Sequence, residues 1–421
     1  MSVQSNEIRE RIRQLAARRH CGAADVLVDL LIASPEPFTY LAVCPNSIAV
    51  ARAALAVSAR LNFPLFYAAT LNQVDRVDGY TGWTPASFSA WLDSELAAFD
   101  NPPFVIRGLD HGGPWKKDLD YLRRLDTPRA MAEAKKSIRA CLQAGYELLH
   151  IDTTEDPELH GVIPVDLIVT RTVELIRFAE QTRAELGLPP IAYEVGTEEV
   201  SGGLTTRDRF TEFVDSLRDA LSESGLKDCW PAFFVGDVGT NLHTTHFEST
   251  LARSLDEIIR PTGALLKGHY TDFVDSADAY PAAGMGAANI GPELSSVEYG
   301  AVIELAAADK TDSSGIVTAL RNAVIDTGRW RKWLLEGEED AAFDLLSPAR
   351  QEWLLATGSR YVWSNPAVAA ARAKLCQNLD GRIDGEAHIQ GRIESVLTDY
   401  AKDFRLAGPA FQDALMRYAR D

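Results

Sequence analysis

The chain has 421 residues, 46% hydrophobic and 24% charged, a balance that excludes disordered and collagen-like classes and allows a sizeable buried core. Its formal net charge of -18 argues against a nucleic-acid partner or an anionic membrane surface, since both need a positive footprint. Five scattered cysteines (Cys21, Cys44, Cys141, Cys229, Cys376) without a CxxC pair fit a reducing cytoplasm and buried thiols, and no apolar run reaches the ~20 residues of a membrane span.

Residues 1–38 read as an N-terminal helical segment. Ile8, Ile12 and Leu15 recur on one face, and Glu7 and Glu10 interrupt the arginines that would otherwise suggest a transit peptide. From 39 to 308 short apolar runs alternate with helical patterns, the signature of βα units and a parallel sheet. The strands expected are Tyr40-Cys44, Leu65-Thr70, Phe104-Leu109, Leu148-Asp152, Ile191-Val195, Ala232-Gly236, Leu265-His269 and Ala287-Ile290. Helical stretches at 47–60, 86–98, 128–144, 165–186 and 207–224 lie between them. Eight such repeats predict an α/β TIM (β/α)8 barrel with its active site at the strands' carboxyl ends; a doubly wound open sheet is the alternative. From 309 to 421 the strand signal disappears into a helical C-terminal extension carrying Trp330, Trp333, Trp353 and Trp363, aromatics suited to packing it on the barrel or on a neighbouring subunit.

If the strands close, the polar residues at their ends share one mouth. Strand three delivers Asp110 and His111 and then stops in Gly112-Gly113-Pro114, a turn that ends pairing and leaves room for a ligand. Asp152 follows strand four, Glu198 and Glu199 follow strand five, His243 and His246 follow strand six, and strand seven ends at His269 with Asp272 close behind. Imidazoles with a carboxylate suit zinc, or manganese at a more oxygen-rich site. Any one of these histidines alone reads more readily as a satisfied structural residue; it is their shared level that points to a metal. Asp152 reads as a group that orients a ligand histidine. In the loop after strand two, Asn72 and Gln73 can donate to and accept from sugar hydroxyls, and Trp83 reads as part of a lid, although the Gly79-Tyr80-Thr81-Gly82 portion fits a plain turn nearly as well.

The chain carries, in order, Asn72-Gln73-Val74 with Gly79-Tyr80-Thr81-Gly82 and Thr84-Pro85, Asp110-His111, Ile151-Asp152, Gly196-Thr197-Glu198, His243, His269 with Thr271-Asp272, Gly291-Pro292, and Tyr361, Trp363 and Asn378-Leu379 in the tail. Taken together these stretches resemble the tagatose-bisphosphate aldolase non-catalytic subunit family, which is related to class II aldolases and includes ketohexose-phosphate 4-epimerases. The resemblance implies a divalent metal held by His111, Glu198, His243 and His269, Asp110 as an acid/base group, and Asn289 in contact with substrate. The chain departs from the family in its short basic loop Gly113-Pro114-Trp115-Lys116-Lys117 and in Gly236-Asp237-Val238-Gly239-Thr240-Asn241, so the substrate, a sugar or a sugar phosphate, stays open.

The function expected is metal-dependent ketose 4-epimerisation or aldol cleavage, with Asp272 as the second acid/base group that a C4 inversion requires. The alternative is a non-catalytic subunit that stabilises an aldolase catalytic subunit; a homo-oligomer is also possible. A tagatose-6-phosphate kinase is disfavoured because no GxxxxGK[ST] cradle is present.

Overall fold

Eight parallel strands pair in chain order and close on themselves in the computed structural model, which describes residues 5–77, 79–159, 162–197, 205–311 and 313–420. They are β1 (Tyr40–Val43), β2 (Leu65–Thr70), β3 (Val105–Asp110), β4 (Leu148–Ile151), β5 (Ala192–Gly196), β6 (Phe233–Val235), β7 (Leu265–Gly268) and β8 (Met285–Ile290). The expected (β/α)8 barrel is thus the fold, and β1 pairing with β8 through Tyr40 opposite Ala287 rules out the open sheet.

Strand alternation divides the side chains between two environments. Outward residues meet the helices: Tyr67 packs edge-on against Phe88, and Tyr193 donates to Glu180. Inward residues fill the interior, where Phe66 and Phe233 meet at 6.0 Å across the barrel. On β3 the inward set is Ile106, Gly108 and Asp110, so the same parity that builds the core lifts Asp110 to the mouth.

The N-terminal helix Ser5–Arg19 buries Ile8, Ile12 and Leu15 as its periodicity requires. The C-terminal residues reach both ends of the barrel. The turn Arg329–Trp333 lies at the mouth, where Lys332 bonds Asp118; the last helix, Pro409–Arg420, sets Phe411 against Phe38 and Tyr40 near the amino ends of the strands. All five cysteines are free, and among the described residues no helix is long and apolar enough to cross a membrane.

Candidate active site

Three imidazoles and a carboxylate converge at the carboxyl end of the barrel. One ligand-type atom from each of Asp110, His111, His150 and His269 lies within 4.8 Å of the other three. The His111, His150 and His269 rings stand 4.7–5.1 Å apart, centroid to centroid. His150 Nδ1 is 3.0 Å from Asp110 Oδ1, His269 Nε2 is 3.6 Å from the same oxygen, and Asn289 Nδ2 donates to Asp110 Oδ2 at 3.1 Å.

Beneath this group Glu194 joins the same network. Its carboxylate accepts from Lys267 Nζ at 2.6 Å and lies 3.1 Å from His269 Nε2 and 3.6 Å from His150 Nδ1. Burial would raise the Glu194 carboxyl, but Lys267 first, then His150 and His269, hold it at about 2. Asp110 is also buried, yet His111, His269, the His150 contact and Lys267 hold it well below the usual carboxylate range. Both acids are therefore anions.

The Gly112-Gly113 turn makes this geometry possible. A Cβ on Gly113 would sit 1.5 Å from the Asp152 carbonyl oxygen, so only glycine lets the end of β3 lie against the end of β4. Gly112 N–H donates to His150 O, which pins the two ends together. That contact brings Asp152 Oδ2 to 2.5 Å from His111 Nδ1 and 3.0 Å from Lys116 Nζ. His111 itself is held at a φ of 49°, a left-handed backbone that favours glycine and is tolerated here because its neighbours fix it on both sides.

The donor set fits a divalent ion. Its ligand-type atoms lie close enough to share one cation, and three imidazoles with one carboxylate are ligands that zinc accepts. His111 and His269 are part of the group as expected. His150, Glu194 and Lys267 are additions that strand-end reasoning missed, and their signal was a polar residue inside an otherwise apolar run.

Of the other expected residues, Asn289 joins the group through Asp110, while His243 and His246 lie outside it. His243 stands on the outward loop after β6, stacked on Trp353 at 5.0 Å and edge-on to Trp333 at 6.4 Å. The cause is a tight turn in which Asn241 and Thr244 exchange backbone hydrogen bonds, aiming His243 at the C-terminal extension. His246 is exposed, 3.1 Å from Glu248, and the next helix begins only at Ser249. Glu198 and Glu199 fall outside the described residues. Asp272 caps the helix Pro292–Ala308, its Oδ1 accepting from Gly291 N at 2.9 Å and Glu293 N at 2.8 Å; burial nevertheless pushes its carboxyl up to about 7. Asn72 holds the next loop through Lys116 O and Asp118 N, and Gln73 donates to Asn46 Oδ1. Trp83 is anchored against Phe88 and Trp91. Asn289 Oδ1 is buried without a hydrogen-bond partner, an acceptor left over on a side chain whose amide holds Asp110.

Three buried lysines are each paired with an acid. Lys116 pairs with Asp152, Lys117 with Asp75 at 2.8 Å, and Lys267 with Glu194. Lys267→Met should therefore destabilise the fold by about 3–5 kcal/mol, because it takes from the buried Glu194 carboxylate its strongest compensating charge and leaves only His150 and His269 beside it. Adding Glu194→Gln should recover much of that loss. Denaturant titration of both single variants and the double variant checks this, and strictly additive losses would contradict it.

A (β/α)8 barrel with a buried imidazole–carboxylate cluster at its carboxyl face is the architecture of a barrel enzyme or of a protein descended from one. Residues 31–396 match the family described as D-tagatose-1,6-bisphosphate aldolase subunit GatZ/KbaZ-like, and the chain belongs to that family. This places it in aldolase-related carbohydrate metabolism. Among solved structures it is similar to a probable tagatose 6 phosphate kinase from Sinorhizobium meliloti 1021, with a TM-score of 0.73 at 22% identity over 87% of this chain and all of that one. It is also similar to a fructose-bisphosphate aldolase from Campylobacter jejuni, with a TM-score of 0.51 at 11% identity over 88% of this chain and 91% of that one. At these identities the two likenesses show the fold.

Proposed function

We propose that the chain is a metal-dependent ketose 4-epimerase, or the closely related aldolase, acting on tagatose- or fructose-type ketoses by retro-aldol cleavage and re-addition. The observation that carries this reading is the convergence of buried Asp110, His150 and His269 with half-buried His111. His111, His150 and His269 would hold a divalent ion, zinc or manganese, with Asp152 orienting His111 and Glu194 orienting His269. Such an ion would polarise the ketose carbonyl as a Lewis acid.

The remaining work falls to the chain's own groups. Asp110 accepts the C4 hydroxyl proton, the C3–C4 bond breaks, and its electrons pass into an enediolate as C4 becomes an aldehyde. Asn289 holds Asp110 through its amide N–H and offers its unpartnered oxygen to a substrate hydroxyl. If the aldehyde turns its other face before the bond re-forms, C4 is inverted; if it leaves, the outcome is aldol cleavage. Asp272, with a carboxyl near 7 and one oxygen outside the capping bonds, is our candidate for the second acid/base group.

The family's description as an aldolase subunit supports a second reading, a non-catalytic partner of an aldolase catalytic subunit. A scaffold has no need of a buried ligand set, which favours the enzyme. Purified chain supplied with zinc or manganese should turn over at least one of fructose, tagatose and their 6-phosphates. Failure on all four, with no metal retained, would leave the subunit reading.

A further inference from the structure

We propose that Lys116 is a positioning residue that tunes the metal site through Asp152. Its ammonium fixes that carboxylate behind His111 and offsets its charge, so that an ion on His111 is held less tightly and keeps more positive charge for a bound substrate. This rests on the metal-dependent reading above and adds what sets the ion's strength. The Lys116 side chain is only 4% exposed, and its Nζ lies 3.0 Å from Asp152 Oδ2, the same oxygen that meets His111 Nδ1 at 2.5 Å. Nζ also donates to Thr154 Oγ1 at 3.0 Å. Thr154 closes the ring, its hydroxyl and backbone N–H donating to Asp152 Oδ1 at 2.6 and 3.1 Å. Both oxygens of Asp152 are therefore engaged and its direction is set. His111 is set with it: Nδ1 faces Asp152, and Nε2 is left toward the cluster, 3.9 Å from Asp110 Oδ2.

The loop after β3 delivers the lysine to this place. Trp115 is buried at a φ of 60°, and its indole N–H donates to Leu125 O at 2.7 Å. On the other side Asn72 Nδ2 donates to Lys116 O at 3.0 Å. Held at both points, the loop turns Lys116 to Asp152 and the next lysine, Lys117, to Asp75. Glu155 is a second acid near Lys116, but at 3.8 Å and with its side chain 26% exposed it is the weaker partner.

A carboxylate bonded to a ligand histidine makes that ligand more basic and strengthens its hold on a metal. An ammonium on the same carboxylate oxygen works against this, by drawing on the carboxylate's charge and by repelling the ion across a buried, weakly screened space. The pattern recurs at His269, where Glu194 Oε1 meets the ring and Glu194 Oε2 takes Lys267 at 2.6 Å. Each carboxylate behind a ligand histidine is thus matched by one lysine. Asp110 meets only histidines in its ion pairs among the described residues, so the acid left without an ammonium is the one assigned to take the substrate proton.

The test compares full-length wild type, Lys116→Gln and Lys116→Met. Zinc affinity is measured by competition with a chelator in the absence of sugar, and kcat and KM on the ketose that the wild type turns over best. Lys116→Gln, which keeps a donor and removes the charge, should bind zinc about 10-fold more tightly and lose about 10-fold in kcat, with KM changing by less than about 3-fold. Lys116→Met should shift both in the same directions. A merely structural lysine predicts the opposite sign, since loosening Asp152 and His111 weakens the metal's hold. Weaker or unchanged zinc binding by Lys116→Gln would therefore overturn the proposal, as would tighter binding with kcat undiminished. The sugar-free measurement keeps the two readings apart. Tighter zinc binding by the variants of a chain that turns over no ketose would remove the proposed reaction and keep the lysine's effect on the ion, whereas wild-type turnover with zinc binding unchanged in the variants would do the reverse.

Discussion

Asp110→Asn is expected to reduce turnover by about 10²–10⁴-fold, the usual worth of a positioned general base. Metal content should remain near that of the wild type. The substitution keeps an acceptor for Asn289 Nδ2 and the size of the side chain, and removes only the anion that receives the proton. His111, His150 and His269 remain to hold the ion. Loss of metal equal to that in His111→Ala would instead make Asp110 a ligand and leave the proton without an acceptor.

The second large effect separates two ligand sets. His150→Ala should abolish stoichiometric metal retention and, with it, activity, while His243→Ala should retain both. The resemblance to the aldolase subunit family points to His243, but its ring is stacked on Trp353 at the barrel's outer rim. His150 occupies an inward position of β4, side by side with Glu194 on β5. Elemental analysis of the two purified variants after dialysis reads the difference. Metal lost from His243→Ala and kept by His150→Ala would mean that the loop after β6 folds inward when the ion binds.

The contrast between these histidines shows what the sequence could and could not reveal. The strands were legible because buried parallel strands are apolar runs bounded by turn residues, and eight of them sufficed to predict closure. Asp110 and His111 were legible because they interrupt such a run at its end. His150, Glu194 and Lys267 were not, since a strand covered on both faces carries no polar alternation to show which residues turn inward. A lone polar residue in Leu148-Leu149-His150-Ile151 was the only trace. His243 misled for the opposite reason: it follows β6 closely in sequence, but the Asn241–Thr244 turn carries it away in space. Gly113 read as permissive, and its tight approach to the Asp152 carbonyl depends on a residue 39 positions later. Asn72 and Gln73 read as sugar contacts and Trp83 as part of a lid, and in the structure their side chains bond or pack against Lys116, Asn46 and Trp91.

The central claim, bond cleavage between C3 and C4 by a metal-loaded barrel, is tested most directly by following C4 of a turned-over ketose in deuterated water by NMR. Retro-aldol cleavage keeps the C4 hydrogen on carbon throughout, so the C4-inverted product should carry no deuterium at C4. Inversion with deuterium incorporated at C4 would mean proton removal from carbon and would contradict the mechanism, and absence of any C4 inversion or aldehyde release by the zinc- or manganese-loaded chain would contradict the enzyme itself.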